Sequence, residues 1–518
     1  MQLRLITRSL LAVLSGVLYF SGFVGYDQFY LSWICLTPLL VALHGSTWRQ
    51  SIVIGWTMGL TTHLGGYTWI IDLLREFAGA PVPVAFSGYV LLCAAQGAFF
   101  AVFSWVLTTL SRSGIRGSFW LPPVIHAGLE LVYPFLFRSF LANSQIHFLS
   151  FMQIAEVVGV IGMGFIMVLV SSLLAETVLQ VRAGKTAPYR GWILAALLVT
   201  GSVAFGRVRI QQIDTSVTTA PHIRVGLIQT NLGQGDKNRS PNEWVSAHLT
   251  QTEELVANEP DLDLIVWPET AYNRYIPRNA SNLRQILQQG HSIPMLTGIL
   301  TRETNEGGGG ERRYNSAVLI DSIGEVQGVF DKNRLLAFGE YVPLGHLAPR
   351  VARAIPTPGR FTPGQTAQPL DLGEIRLAVH ICYEDILPRF VRRLMRAEEG
   401  RRPQLLVNLT NDSWFGDTIE PRIHLALAAF RAVENRRTLV RATNTGISAM
   451  VDPVGRISPS IPQYQQGNLV VDAPLLDGTT VYQRAGDVLG WLCLCVTILM
   501  LIASGTARRV RTRDHVEL

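Results

Sequence analysis

The sequence predicts an α/β domain carried between two blocks of membrane-spanning helices, and three observations predict it. Apolar residues are unevenly spread: 9–206 and 486–504 are rich in Leu, Val, Phe, Gly and Trp with few charges, whereas 220–480 has the mixed composition of a water-soluble domain. Lysines and arginines of the short connections fall almost entirely on one side of the membrane that those apolar runs define. Within 220–480, strand-like apolar runs alternate with stretches of helical periodicity and with hairpin signals. At 518 residues and a mean hydropathy of +0.26, the chain is too long and too apolar for one ordinary soluble domain.

The first block begins with apolar runs at 9–25 and 29–45, each close to the roughly 20 residues that span a bilayer. Arg4 and Arg8 before the first run imitate a signal peptide, but no small-x-small cleavage site follows, so the run is read as an uncleaved span. Further spans are expected at about 52–71, 84–110, 118–137, 155–180 and 191–206, with a last one at 486–504. Pro122, Pro123, Glu130 and Pro134 interrupt the fifth. With the N-terminus cytoplasmic, twelve Lys and Arg lie in cytoplasmic segments, from Arg4 to Arg513, against Arg75 and Arg138 in the short opposite loops. Eight spans then leave both termini cytoplasmic and residues 207–485 outside. Glu130, a carboxylate in an apolar stretch, is expected to face the bundle interior or a cavity. Gly55 and Gly59 have the spacing of close helix packing.

In the soluble region, 223–229 reads as a buried strand after a disordered-looking link from Asp214 to Pro221. Residues 243–258 read as a helix, Leu262 to Trp267 as a strand, 280–290 as a helix and Pro294 to Leu300 as a strand. Gly307 to Gly310 reads as a hairpin tip. Two look-alike strand pairs, 318–326 and 450–457, each turn on a glycine at the left-handed position. The strand Leu405 to Leu409 leads to Asn411, and 420–437 looks helical. The class is α/β with a mixed sheet.

Three strand ends carry Glu269, Lys332 and Cys382, and strand ends far apart in sequence can converge in one sheet. Residues 374–385 read as a buried strand ending on Cys382, then a polar turn, a corner that presents a nucleophile beside backbone N–H groups. Cys382 is the only cysteine between residues 207 and 480, which leaves it no disulfide partner there. The chemistry is coherent: a thiolate attacks an acyl carbon, a carboxylate takes the thiol proton, and an ammonium stabilises the oxyanion. Taken singly, each residue has a plainer reading: a helix-start carboxylate, a surface lysine, a small core cysteine. His380, two residues before Cys382 on the same strand face, suggests a Cys–His pair, but Glu269 already supplies a base. No basic-aromatic repeat, metal-ligand spacing or Gly-rich phosphate loop is present. The expectation is therefore no metal, no cofactor and no nucleic acid.

Trp267-Pro268-Glu269, Lys332-x-x-Leu335-x-x-Phe338-Gly339-Glu340-Tyr341 and Cys382-Tyr383-Glu384 resemble the motifs of the nitrilase, or carbon–nitrogen hydrolase, superfamily. Asn411-Asp412-x-Trp414-Phe415-Gly416 and Arg441-x-Thr443-Asn444-x-Gly446 extend the likeness. With spans on both sides, the whole pattern looks like the bacterial apolipoprotein N-acyltransferases within that superfamily. The resemblance implies a nitrilase-like αββα sandwich inserted into an eight-helix transmembrane bundle: 1–206 membrane domain, 207–484 periplasmic catalytic domain, 485–518 last span and cytoplasmic tail. It implies a Glu269–Lys332–Cys382 triad of base, oxyanion stabiliser and nucleophile. Glu340 orients the lysine or assists proton transfer, Tyr383 and Glu384 shape the pocket, and Trp244 lies on a substrate-facing segment. Leu335, Leu336, Phe338, Leu344, Trp414 and Phe415 are the hydrophobic residues that could line or gate a lipid channel. Two departures stand out: Asn333, Arg334 and Ala337 inside the lysine motif, and Arg138 to Asn143 where the family often has Gly-Phe-Pro-Trp.

The activity implied is N-acylation of the diacylglyceryl-cysteine of an apolipoprotein, with a phospholipid such as phosphatidylethanolamine as acyl donor and a cysteine thioester between the two steps. The partners are then the donor, the diacylated acceptor and the lipid of the bacterial inner membrane. The alternative is a membrane-tethered amidase that hydrolyses a small amide.

Overall fold

A computed structural model describes residues 4–76, 79–113, 119–233, 241–304, 311–337, 339–341, 361–396 and 400–514, without the side chains of 241 and 506–514. The chain divides into two compact units, one of residues up to 71, 81–209 and 484 onward, the other of 72–80 and 210–483.

The first unit is helical. Its helices are α1 (Leu5–Ser21), α2 (Thr37–Leu43), α3 (Trp48–Gly66), the start of α4 (Trp69–Glu76), α5 (Val82–Arg112), α6 (Leu121–Val132), α7 (Leu149–Met152), α8 (Ala155–Arg182), most of α9 (Tyr189–Thr219) and a long final helix from Val488. Four of these, α5, α8, α9 and the final helix, are long and apolar enough to cross a membrane. The eight expected spans are not all matched: Leu5–Ser21, Phe29–Leu43 and Leu121–Val132 are shorter apolar helices. The fifth stops early because Tyr133 precedes Pro134 and takes an extended conformation (φ −62°, ψ 132°). Gly55 and Gly59 do permit close packing. A Cβ on Gly59 would lie 2.7 Å from the Gly97 carbonyl carbon of α5, which only a bare backbone allows. Glu130 is 3 % exposed, and its Oε1 accepts from the Leu141 N–H at 3.3 Å. Arg138 wraps the same turn, donating to the Glu130 and Tyr133 carbonyls at 3.0 and 3.1 Å. The segment that departs from the family pattern is therefore packed around Glu130.

The second unit contains two mixed sheets. The first has the order β13-β1-β2-β4-β5-β6, with β1 (His222–Gln229), β2 (Leu264–Val266), β4 (Met295–Thr304), β5 (Glu311–Ile320), β6 (Val326–Asp331) and β13 (Gly467–Pro474); β3 (Tyr272–Pro277) joins β4. The second has the order β12-β11-β10-β9-β8-β7, with β7 (Leu370–Leu372), β8 (Ile375–Ile381), β9 (Leu405–Thr410), β10 (Thr438–Thr443), β11 (Ser448–Val451) and β12 (Ile457–Ile461). Both repeat one plan. Three parallel strands, β1-β2-β4 in one and β8-β9-β10 in the other, are followed by an antiparallel hairpin. The hairpin turns match bond for bond. Gly324 (φ 82°) and Gly455 (φ 91°) donate to Asp321 and Asp452, whose side chains each cap the N–H groups two and four residues on.

The sheets face each other, β1 against β10 and β6 against β7, and helices lie on the outer faces: α10 (Pro241–Asn258) on β1 and β13, α12 (Pro388–Leu394) on β8, and α13 (Glu420–Asn435) on β10. This is an αββα sandwich, so the single mixed sheet read from residue pattern becomes two. Strands buried on both faces, such as Leu264–Val266 and Leu405–Thr410, carry near-continuous apolar runs. Two boundaries differ from expectation. The link from Asp214 is helical to Thr219, because Ile213 packs against Val454 and Leu476 and Arg456 holds Asp214 at 2.7 Å. The helix expected over 280–290 is only α11, Arg284–Leu287. The Gly307 to Gly310 tip lies outside the described residues.

Candidate active site

Glu269 sits three residues past β2, where the Trp267 N–H still bonds Leu296 and the Trp267 ring is fully buried. Thr270 follows with φ 51°, a left-handed conformation costly for a β-branched residue, so the chain turns sharply just after the carboxylate. A Cβ on Gly298 of β4 would come within 2.6 Å of the Glu269 Cα, so the loop rests directly on bare backbone. Lys332 is the residue after β6 and is 2 % exposed. Cys382 follows β8 with φ 51°, between an extended Ile381 and a short 3₁₀ turn, Cys382–Ile386. The expectation of a single sheet is corrected here. Glu269 and Lys332 come from one sheet and Cys382 from the other, because the C-terminal ends of β2, β6 and β8 open on one side of the sandwich interior.

Lys332 Nζ bonds Glu269 Oε1 at 3.0 Å and Glu340 Oε1 at 2.9 Å. Asn315 of β5 donates to the same two oxygens at 2.7 and 3.2 Å. Glu340 is fixed in turn by the Leu336 N–H on its Oε2 at 2.8 Å. Glu269 Oε2, by contrast, is buried with no hydrogen-bond partner among the described residues. One oxygen of this carboxylate is anchored and the other is left able to accept a proton. Burial opposes the Lys332 ammonium, but Glu269, Glu340 and Cys382 outweigh it and hold its pKa well above the usual lysine value. The Cys382 thiol is pushed well up, first by burial and then by Glu269, while Lys332 and a hydrogen bond from Thr410 pull it down. At rest the site therefore holds a neutral thiol beside an ionised lysine.

Glu384, expected to shape the pocket, is fully buried and does structural work. Its Oε2 accepts from the Ile381 N–H at 2.9 Å, and its Oε1 accepts from the Asn333 and Arg334 N–H groups at 2.7 and 2.8 Å. It clamps the cysteine turn to the lysine loop. Burial lifts its pKa to about 8 against those three bonds and Lys332. Tyr383 is half-buried in the turn, and Leu335 and Trp414 are half-buried as well, while Phe415 is buried at 5 %. Phe338 and Leu344 lie outside the described residues. Trp244 is 1 % exposed in α10, its ring 5.8 Å from His248, which in turn stacks 5.2 Å from Trp267. The buried face of an amphipathic helix claims it for the core. His380 is buried against Asn408 at 3.0 Å, and burial lowers its pKa to about 4, so it is neutral.

Residue-pattern reasoning missed a second buried ion network on the other side of Cys382. Asp385 accepts from Arg441 Nη1 at 2.5 Å and from His424 Nε2 at 2.9 Å. Asp412 accepts from Arg441 Nη2 at 3.1 Å and from His424 Nδ1 at 3.0 Å. Arg441 Nη2 also approaches His424 Nδ1 to 2.9 Å, a like-charge contact that Asp412 offsets by bonding both. Burial and Arg441 disfavour the imidazolium, but the two aspartates prevail and raise the His424 pKa to about 10. The network thus holds two anions and two cations. Asp412, Glu420 and His424 are the one described trio close enough to share a metal ion, and Arg441 already bonds Asp412. A legible signal existed: an arginine inside the otherwise apolar strand Thr438–Thr443 must be paired if that strand is central.

Comparison with known proteins agrees in both units. Residues 15–173 match the profile described as the apolipoprotein N-acyltransferase N-terminal domain, and residues 224–481 match that of the carbon–nitrogen hydrolases. The chain is 33 % identical to an apolipoprotein N-acyltransferase of Geobacter metallireducens, over 94 % of this chain and 93 % of that one. It is 30 % identical to one of Pseudomonas aeruginosa, over 94 % and 95 %. Among solved structures, Saccharomyces cerevisiae Nit3, of the nitrilase superfamily, aligns with 49 % of this chain and 90 % of that one at 18 % identity and a TM-score of 0.38.

Proposed function

The chain belongs to the apolipoprotein N-acyltransferase family of enzymes, and from that premise we propose that it moves an acyl chain from a phospholipid to the α-amino group of a diacylglyceryl-cysteine, with Cys382 as the carrier. The observation that carries this reading is the half-satisfied carboxylate: Glu269 is bonded to Lys332 through Oε1, while buried Oε2 has no partner among the described residues.

In the first half-reaction Glu269 Oε2 takes the Cys382 proton as Sγ bonds to the ester carbonyl carbon. A neutral resting thiol requires that base, since burial disfavours a free thiolate. Lys332 meets the oxyanion, and because Glu269 and Glu340 hold its ammonium in place, little reorganisation accompanies the charge. The carbon–oxygen bond then breaks, the leaving glycerol oxygen takes the proton from Glu269, and lysophospholipid departs. In the second, the acceptor amine attacks the thioester, the carbon–sulfur bond breaks, and Glu269 passes the amine proton to the departing thiolate. The products are an amide and the regenerated thiol.

Membrane attachment suits this substrate. At about 0.8 kcal/mol per CH₂, a 16-carbon chain is held in a bilayer by on the order of 10 kcal/mol, which an enzyme working at the membrane surface need not overcome. The asymmetry of Lys and Arg supports 207–484 as a periplasmic domain, with 1–206 and 485–518 as inner-membrane segments and cytoplasmic tails. Counting the three shorter apolar helices and the 19-residue helix Trp48–Gly66 as spans would complete the eight that this topology needs.

The test is intact-protein mass spectrometry after incubation with phosphatidylethanolamine alone. An acyl adduct that maps to Cys382 and is discharged by a diacylated lipopeptide is the expected outcome. Transfer that proceeds with no adduct would exclude the thioester route, and lipid-independent release of ammonia from a small amide would favour the amidase reading.

A further inference from the structure

We infer that Asn408 is a positioning residue for Cys382: Arg441 orients its side-chain amide, and that amide grips the His380 and Cys382 carbonyls and so sets the backbone of the nucleophile. This rests on the acyltransferase reading above for its catalytic consequence; the contacts stand without it.

Strands β8, β9 and β10 are parallel, and their register sets His380 beside Asn408 and Asn408 beside Arg441. Residues in register on neighbouring strands share a face, so these three polar side chains form one row across the sheet. All three are fully buried, and their neighbours along the strands, Val379, Ile381, Val407, Leu409, Val440 and Ala442, are apolar. Polar groups buried in such a row must satisfy one another.

The row has a direction. Arg441 Nη1 donates to Asn408 Oδ1 at 2.9 Å, and since arginine can only donate, the atom it meets is the amide oxygen. The amide nitrogen then faces β8, at 3.0 Å from His380 Nδ1, 3.2 Å from the His380 carbonyl and 3.3 Å from the Cys382 carbonyl. Its hydrogens are shared among those acceptors. Meeting a donor, Nδ1 must be the unprotonated ring nitrogen, so neutral His380 carries its proton on Nε2. Neither nitrogen is then a base for the thiol, because one holds the proton and the lone pair of the other is engaged.

Cys382 needs holding, since its φ of 51° lies in a region that few side chains adopt without strain. The peptide group between His380 and Ile381 is pinned at its oxygen by Asn408 and at its nitrogen by Glu384 Oε2, 2.9 Å from the Ile381 N–H. The peptide group between Cys382 and Tyr383 is pinned at its oxygen by the same amide. With both planar groups held, the torsions of Ile381 and Cys382 between them are constrained, and with them the direction in which the thiol leaves the chain. The amide takes its own orientation from Arg441, which also bonds Asp385 and Asp412. Order in the buried ion network thus reaches the nucleophile through Asn408.

The experiment uses full-length, detergent-solubilised protein carrying isotope-labelled histidine, with the ring nitrogens read by NMR near neutral pH. The His380 signal is the one lost in His380→Gln. In wild type its Nε2 is expected to carry the proton. In Asn408→Asp, which keeps the shape and the Arg441 bond but presents oxygen to the ring, Nδ1 is expected to gain one. Acyl-enzyme formation at saturating phosphatidylethanolamine is expected to fall about 10²-fold in Asn408→Asp and in Asn408→Leu, with the half-saturating donor concentration changed by less than about twofold. A merely structural residue would lower the yield of folded protein and leave the rate per folded molecule alone. Wild-type His380 protonated on Nδ1 overturns the inference, because such a ring could not accept from Asn408, and unchanged acylation rates in both variants overturn it too. The wild-type tautomer needs no variant, so the test survives should neither substituted protein accumulate. It needs no phospholipid either: Nε2–H in a protein that forms no acyl-enzyme would sink the acyltransferase reading and leave the row of contacts standing.

Discussion

Glu269 and Asp412 follow equivalent strands of the two sheets, β2 and β9, and are buried to nearly the same degree, 5 % and 1 % exposed. Each rests against a glycine associated with the next strand of its sheet, Gly298 in β4 and Gly446 just after β10. Each bonds a buried cation, Lys332 in one case and Arg441 in the other. The difference lies in what is left over. Both Asp412 oxygens are bonded and its network balances two anions with two cations, whereas Glu269 keeps one oxygen unpartnered among the described residues, in a cluster of two carboxylates and one lysine. A saturated network resists change and holds backbone in place. An unsaturated one with a residual negative charge can take up a proton. The same fold plan, used twice, thus gives the first sheet the carboxylate that can take a proton and the second the saturated network that holds the nucleophile's turn.

Substitution of the two carboxylates tests this most directly. Glu269→Gln is expected to lower triacylation of a diacylated lipopeptide by about 10³-fold, within the range for loss of a general base, with a melting temperature within a few degrees of wild type. Asp412→Asn is expected to act on folding instead, costing roughly 3–5 kcal/mol because it leaves the buried Arg441 and His424 charges uncompensated. Chemical denaturation distinguishes the two, and equal stability loss in both variants would erase the contrast.

The glycines sharpen it. Gly298→Ala drives a methyl against the Glu269 backbone and is expected to cut turnover by about 10²-fold through misplacement of the base. Gly446→Ala meets the Asp412 Cβ at 2.9 Å and is expected to appear first as a loss of about 1–3 kcal/mol in stability. Activity per folded molecule, measured on both variants, separates these outcomes.

The smallest effect is in pH dependence. His424 has a folded pKa of about 10, raised above its ordinary value of 6.5. Its stabilising contribution is therefore fully present below about pH 6.5 and is lost as pH rises through about 10. Burial also raises Glu384 to about 8, which destabilises variant and wild type alike as pH rises from about 4.5 to 8. The difference between wild type and His424→Gln cancels that shared term. The gap in melting temperature should be constant from about pH 5 to 6.5 and then narrow steadily toward pH 10. A gap that widens across this range would show that His424 is neutral in the folded protein.

Much of this was legible in the residues. Periodicity two and 3.6 marks the strands and helices of 220–480, the glycines at 324 and 455 mark both turns, and the abrupt end of a buried strand at Cys382 marks the corner, because these are local consequences of backbone sterics and apolar pattern. The motifs around Glu269, Lys332 and Cys382 carried the family likeness. Apolar runs in the membrane unit were visible too, but not where Pro134 ends α6 after only 12 residues. Tertiary structure alone decided the rest. It distributed the strands between the two sheets that the family likeness implied, placed Trp244 on a buried helix face, set Glu384 as a clamp between two loops, and joined Asp385, Asp412, His424 and Arg441. The reason is physical: a buried charge must find partners, sequence spacing does not say which, and only the packing of the two sheets brings those partners within bonding distance.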